Sequence, residues 1–527
     1  MGPTRSLRAS SSRSLPAVRW LPIVALALLP AVSVGAPKAK PEAAPAAPSV
    51  EQMMAARNAV FGAVDTAFRE GRKAEVADLL VEIAQKPEHA AYHAEAWSRL
   101  GATLEALDLP FSALLAYERA LSTDAPLVAD AAAKAITLAD KVGDTAVLEA
   151  VFAKNLGLEV EAATRSRMAY LAAREATHRG QHPLALASLK MVSTTDPFFP
   201  EAKALEGVAL SLSGRHNDAL GPLQVALGAG MAYKRGGRFD DLVKMNLARA
   251  YYGAGNFPRA MEYYAQISRG SRSWPQAQFE RAWAHFRLGD PNGSLSLLFG
   301  HQTAFMDELY APEADLLRIY SFFQLCKFPE ATKGIEALKG KYQPRVELLR
   351  GTAALGPEEL FNRHAALIEG KPAELSPLVS YFFVEEDRLR DSLTAVRSAE
   401  DEMGRLRNVA ANPFSAWASD AVAARRAALI DAEGKRIQAK VGRMADELEG
   451  MIDAADLSRL DMMDMEKRLF SQAAATGELA QKREVVTRTK KVRKDERYWP
   501  YEGEVWADEL GYFRINAKPD CPAGFQP

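Results

Sequence analysis

His89 and His93 stand four residues apart, as do His178 and His182. On a helix that spacing brings both imidazoles of a pair to one face, where they would ligate a zinc-like ion. Gly180 breaks the helix between the second pair, and no thiol or carboxylate beside either pair completes a ligand set, so both read as solvated histidines and no metal is expected. Carboxylate pairs such as Asp461 with Asp464 and Glu385 with Glu386 lie in charged, helix-forming stretches. A general acid needs burial to raise its pKa, and nothing in those stretches promises it. The phosphate loop G-x-x-x-x-G-K-[ST], the zinc helix H-E-x-x-H and the nucleophile elbow G-x-S-x-G, whose spacings follow from their mechanisms, do not occur. We therefore expect no enzyme, no catalytic residue and no cofactor. A glycan-cleaving enzyme built on a helical solenoid would need a compact C-terminal module with a catalytic Glu; that region reads as a coiled coil and a short tail.

Recognition remains. Arg167, Tyr170, Arg174, Met245, Arg249, Tyr252, Arg287, Tyr320 and Phe323 fall at inner positions of the first helices of a repeat array, and Trp499 and Trp506 lie in an aromatic tail. Aromatic and Arg side chains dominate binding energy at interfaces. Arg174 and Arg249 have no evident use in a core, whereas aromatics such as Phe279, Trp283 and Phe286 would equally serve packing between hairpins.

These residues need a scaffold, and the sequence supplies one between residues 53 and 345. Its clearest unit is Trp97, Leu100, Gly101, Leu104, then Ala113, Tyr117, Ala120 and Pro126. That is the tetratricopeptide pattern, in which small residues let two helices cross closely and the aromatic fills the groove between them. Further units pair a turn glycine with a small residue: Gly180 with Ala185, Gly214 with Ala219, Gly255 with Ala260, Gly289 with Ser294. Weaker ones centre on Gly71, Gly143 and Cys326, giving about eight helical hairpins. The residues around Tyr233–Gly237 are the largest irregularity and predict a loop on one rim. The expected fold is all-α, a superhelical solenoid followed by a long helical hairpin or coiled coil and a short aromatic C-terminal segment.

Residues 346–480 change period. Ile430, Ile437, Val441, Met444, Leu448, Met451 and Ala455 continue through Met462, Met465 and Leu469 as a heptad seam. The Asn412-Pro413 break separates it from an earlier helical segment containing Leu389, Leu393 and Val396, so an antiparallel hairpin is expected, with a parallel dimer through the seam as the alternative. Residues 481–527 hold a basic run, an alternating stretch (residues 483–489) that suits a short strand, and six aromatics between Tyr498 and Phe513. Disordered segments are poor in aromatics, so this tail is expected to dock, either internally or on a partner.

The chain has 527 residues, 48% hydrophobic and 25% charged, with a formal net charge of -1. That balance gives no case for nucleic-acid binding. Arg5, Arg8, Arg13 and Arg19 precede an apolar run from Trp20 to Val34 and the small residues Ser33, Gly35 and Ala36, a secretory leader with cleavage expected before Pro37. Residues 37–52 are a Pro/Ala-rich spacer. No Cys stands there to carry a lipid anchor. Cys326 and Cys521 would be able to pair in an oxidising compartment, but one sits in the array and the other in the tail, and the plain reading is one buried thiol and one free.

Two stretches, Trp274–Gly289 and Pro312–Ala331, together with the tail Trp499–Phe513, resemble tetratricopeptide proteins of gliding and predatory deltaproteobacteria. Some members of that group belong to the adventurous gliding-motility machine. The resemblance implies a periplasmic adaptor that binds inner- or outer-membrane components of such a complex, and it supplies no catalytic residues. An outer-membrane biogenesis factor holding β-barrel precursors and a purely structural spacer are the other expected classes.

Overall fold

A computed structural model describes residues 49–122, 129–303, 306, 310–376, 379, 383, 386–476, 506 and 509–521. The leader, most of the spacer, the basic run with its expected strand, and Trp499 lie outside the described residues. The chain divides into two compact units, Met1–Ala56 and Arg57–Pro527. In the first, Ser49 and Gln52 exchange hydrogen bonds, Ser49 N to Gln52 Oε1 at 2.9 Å and Gln52 N to Ser49 Oγ at 3.2 Å, a capping box that opens the first helix.

The second unit is helical throughout its repeats. Eight hairpins follow one another: α1 (Val50–Arg69) with α2 (Lys73–Gln85), α3 (His93–Ala106) with α4 (Pro110–Leu121), α5 (Ala129–Val142) with α6 (Ala146–Lys154), and α7 (Ala162–His178) with α8 (His182–Leu189). Then come α9 (Phe199–Leu212) with α10 (His216–Ala232), α11 (Gly237–Gly253) with α12 (Phe257–Ala265), α13 (Trp274–Arg287) with α14 (Pro291–Leu298), and α15 (Pro312–Gln324) with α16 (Phe328–Ala353). A left-handed residue closes each first helix: Gly71, Asp108, Gly143, Gly180, Gly214, Gly255, Gly289 and Cys326, with φ between 53° and 82°. Glycine is favoured because it carries no Cβ penalty there. The small residue after each expected turn, Ala113, Ala185, Ala219, Ala260 or Ser294, is fully buried at the helix crossing. Prolines open α4, α8, α9 and α12 to α16, where a missing N–H costs no hydrogen bond.

Two helices complete the expected hairpin, α18 (Asp387–Leu406) and α19 (Pro413–Thr476), after α17 (Pro357–Ile368). Arg426 binds Glu400 and Arg436 binds Glu386, which fixes α18 and α19 as antiparallel. The heptad seam of α19 is buried inside this chain: Ile437, Val441, Leu448 and Ala455 are fully enclosed. Their partners are α15, α16, α17 and α18, and the start of α19 packs on α2 and α4. Gly434 lets α19 pass the backbone of α17, since a Cβ there would clash with the Pro357 carbonyl group. α16 runs through Pro344 without a break.

The consequence is one core that joins both ends of the array. Residues from Phe61 to Leu171 and from Leu316 to Met465 form a single apolar cluster, whereas the repeats between them hold smaller clusters of their own. The long helix therefore ties the first and last repeats together, and α8 to α14 pack on their neighbours in sequence, with the tail added at α13 and α14.

Charged groups secure the tie. Asp144, whose side chain is fully buried, takes both hydrogen bonds of Arg425 at 2.7 Å. Asp78 on α2 accepts the Phe414 amide at 2.9 Å and so caps α19. Trp97, the signature aromatic of the clearest repeat, packs on Trp417 with centroids 5.1 Å apart.

The tail docks internally. Asn292 donates to Ala517 O at 3.0 Å and accepts from Ala517 N at 2.9 Å, Ile515 N donates to Ser296 Oγ at 2.8 Å, and Asp520 N donates to Leu325 O at 2.9 Å. Phe513 meets Phe299 edge-on at 4.6 Å. The Arg269 guanidinium lies over both Trp274 and Tyr512. Cys326 and Cys521 form a disulfide across 195 residues, so the reading of one buried and one free thiol is corrected. Separation along the chain gave no hint that the tail returns to the turn between α15 and α16. Beside the bridge, Asp520 pairs at 2.8 Å with Lys327, whose side chain is 1% exposed.

Candidate partner-binding groove

Nine of the proposed recognition residues, from Arg167 to Phe323, lie on the first helices of their hairpins, and they divide according to whether packing has already claimed them. Arg167 and Met245 are buried, which corrects their reading as open inner positions. Arg167 binds Asp140 at 2.9 Å and lies 3.5 Å over the Phe198 ring, so it is a packing residue. Tyr170 stacks on the same Phe198, and desolvation raises its pKa. Met245 joins the small cluster of Ala260, Tyr264 and Trp274.

Arg174 and Arg249 do have structural uses. Arg174 pairs at 3.4 Å with Glu149, a buried carboxylate whose pKa is raised by that burial. Arg249 meets Glu280 of the next repeat through Nε at 2.9 Å and Nη2 at 2.6 Å, and Tyr264 and Gln276 also donate to Glu280. Burial works against the Glu280 charge, but the Arg249, Gln276 and Tyr264 hydrogen bonds prevail and hold its carboxyl below the usual range. The guanidinium of Arg249 nevertheless keeps an exposed side. Tyr252 and Arg287 both rest on Phe257, and Arg287 is exposed. Tyr320 and Phe323 are half-buried against the shared core. Trp506 is exposed.

The histidine pairs separate as metal sites. His89 lies in the short 3-10 turn Pro87–Tyr92, ahead of the α-helix that begins at His93. His178 and His182 belong to different helices. His178 does gain two carboxylates, Glu175 one turn earlier on its own helix and the remote Glu149, with ligand atoms of all three within 4.8 Å of one another. Arg174 and Arg388 reach into the same cluster, and burial followed by these two cations lowers the His178 pKa. A divalent ion there would compete with two guanidinium groups, so the residues fit an ion-pair knot better than a metal site.

Arg388 of α18 reaches His178 of α7, and beyond that point the exposed recognition residues are Arg249 on α11 and Arg287 on α13. Further along, α13, α15 and the middle of α19 line an open-sided cavity of about 390 Å³. Among the described residues no helix is long and apolar enough to cross a membrane.

No family model matches the chain, and no curated protein matches it. Among solved structures it is similar to the Rap conjugation gene regulator of the plasmid pLS20 in complex with the Phr* peptide, at 13% identity, over 67% of this chain and 98% of that one, with a TM-score of 0.28. It is also similar to a circular tandem repeat protein with novel repeat topology, at 14% identity, over 81% of this chain and 92% of the other, with a TM-score of 0.14. Likenesses this distant carry no functional argument. The chain is a helical-repeat protein by its own geometry.

Proposed function

We propose that the chain is an exported, non-enzymatic scaffold of a cell envelope, which takes up partner proteins along the open inner face of α7 to α13. The observation that carries this reading is the Cys326–Cys521 disulfide. Such bonds persist in oxidising compartments, the periplasm among them, and this agrees with the basic-then-apolar start of the sequence. Arg249, Tyr252 and Arg287 supply interface-prone side chains on the open stretch. The resemblance to gliding-motility tetratricopeptide proteins supports inner- or outer-membrane components of such a machine as partners.

Because α19 fills the inner face of the last repeats, a structural spacer is the second reading. A factor that holds β-barrel precursors would use the same open stretch. Fractionation of the native host with thiol trapping tests export: a periplasmic, disulfide-bonded species that begins at Pro37 is expected, and a reduced cytosolic species retaining residues 1–36 would refute it.

A further inference from the structure

Near its C-terminal end α19 carries a second apolar stripe that the buried seam does not use. Leu457, Leu460, Met463 and Phe470 are each between 60% and 69% exposed, on the side of the helix away from the buried Met462 and Met465. Asp456, Leu460, Met463, Lys467 and Phe470 follow one another in alternating steps of four and three residues, the spacing of a seam between two helices, and Leu457 flanks them. An exposed apolar patch of this kind marks a contact with another protein surface.

The charges on the stripe point to the occupant. Arg459 and Glu466 stand one heptad apart on one flank, and among the described residues neither they nor Lys467 have an ion-pair partner. Two copies laid antiparallel about a two-fold axis, Leu460 of each against Met463 of the other, set Arg459 against Glu466 and Asp456 against Lys467, and each pair occurs twice. Asp456 keeps Lys339 beside it, and Asp464 on the other flank is already paired with Arg468. A parallel pair would instead press Lys467 on Lys467 and Asp456 on Asp456. Covering the stripe on both copies removes on the order of 1,000 Å² from water, the lower edge of a specific interface, which suits a reversible dimer.

We propose that this face of α19 is the contact between two copies of the chain, an antiparallel helix pair centred on Leu460 and Met463. The proposal does not depend on the groove reading above.

Sedimentation velocity of the oxidised full-length chain tests it across roughly 1–100 µM, the range in which a contact of this size titrates. A monomer–dimer equilibrium is expected. Leu460→Glu/Met463→Glu should weaken it about a hundred-fold or more with helicity unchanged. Arg459→Glu should weaken it about five-fold, and adding Glu466→Arg should restore it, since only the antiparallel register brings these two positions together. A chain that stays monomeric across the range overturns the proposal; if Leu460→Glu/Met463→Glu then lowers the melting temperature, residues 477–505 of the same chain cover the face instead. A dimer that survives Leu460→Glu/Met463→Glu overturns it too, as does an Arg459→Glu defect that Glu466→Arg fails to restore.

Discussion

Glu402 of α18, fully buried, accepts both the amide and the hydroxyl of Ser112 on α4, at 2.7 Å and 2.5 Å, across 290 residues of sequence. Its other oxygen accepts the Phe111 amide at 2.7 Å. A carboxylate from the last domain-length stretch thus caps a helix of the second repeat, where free amides and the helix dipole favour negative charge. Replacing Glu402 by Gln sets an NH2 group against one of these donors. Loss of about 1–3 kcal/mol is expected in urea unfolding at neutral pH.

Gly434→Ala should be costly for a different reason. The added methyl meets the Pro357 backbone, which cannot rotate away as a side chain would. Destabilisation of about 1–3 kcal/mol is expected, with α17 losing amide-exchange protection first. The same change at Gly442, which has open space, should be neutral or slightly stabilising.

The tail strap makes a two-part prediction. Cys521→Ser should lower stability by about 2–4 kcal/mol, because the bridge closes a long loop. Asp520→Asn, with the bridge intact, leaves the Lys327 charge enclosed without its carboxylate; about 1–3 kcal/mol should be lost and largely recovered by adding Lys327→Met. Thermal melts of the four proteins in oxidising buffer check both parts.

Much of this fold is legible from residue spacing, because a turn glycine and a small residue at fixed offsets are steric requirements of each hairpin. Gly255 with Ala260 and Gly289 with Ser294 declare their roles locally. The heptad seam from Ile430 to Leu469 is equally plain, but periodicity states only that a face is buried and not by which helix. Glu402, Asp144 and Asp78 read as ordinary surface acids, since their partners lie hundreds of residues away. Arg174 and Arg249 read as recognition residues because no acid stands one helical turn from either. Their acids, Glu149 and Glu280, sit on neighbouring hairpins, so only the superhelix brings them together.

The Glu280 knot predicts a pH dependence with a definite sign. Its folded pKa is depressed, so its contribution is present above the ordinary carboxylate value of about 4.3 and is lost as pH falls through the depressed value. Glu280→Gln should therefore be less stable than wild type at neutral pH, and the gap should close in the acid limb below about pH 4. Urea midpoints measured from pH 7 to pH 2.5 would show this convergence.

The central claim is that the inner face of α7 to α13 holds a partner protein. Placing a photo-crosslinking amino acid at Arg249 or Trp283 on that face, and at Val225 or Met231 of the second helix α10 as exposed controls, tests it in living cells of the native host. Discrete protein adducts from the two inner positions, absent from the controls, are the expected result. Inner positions that yield no adduct, or the same diffuse background as the controls, would contradict the scaffold reading and leave a spacer.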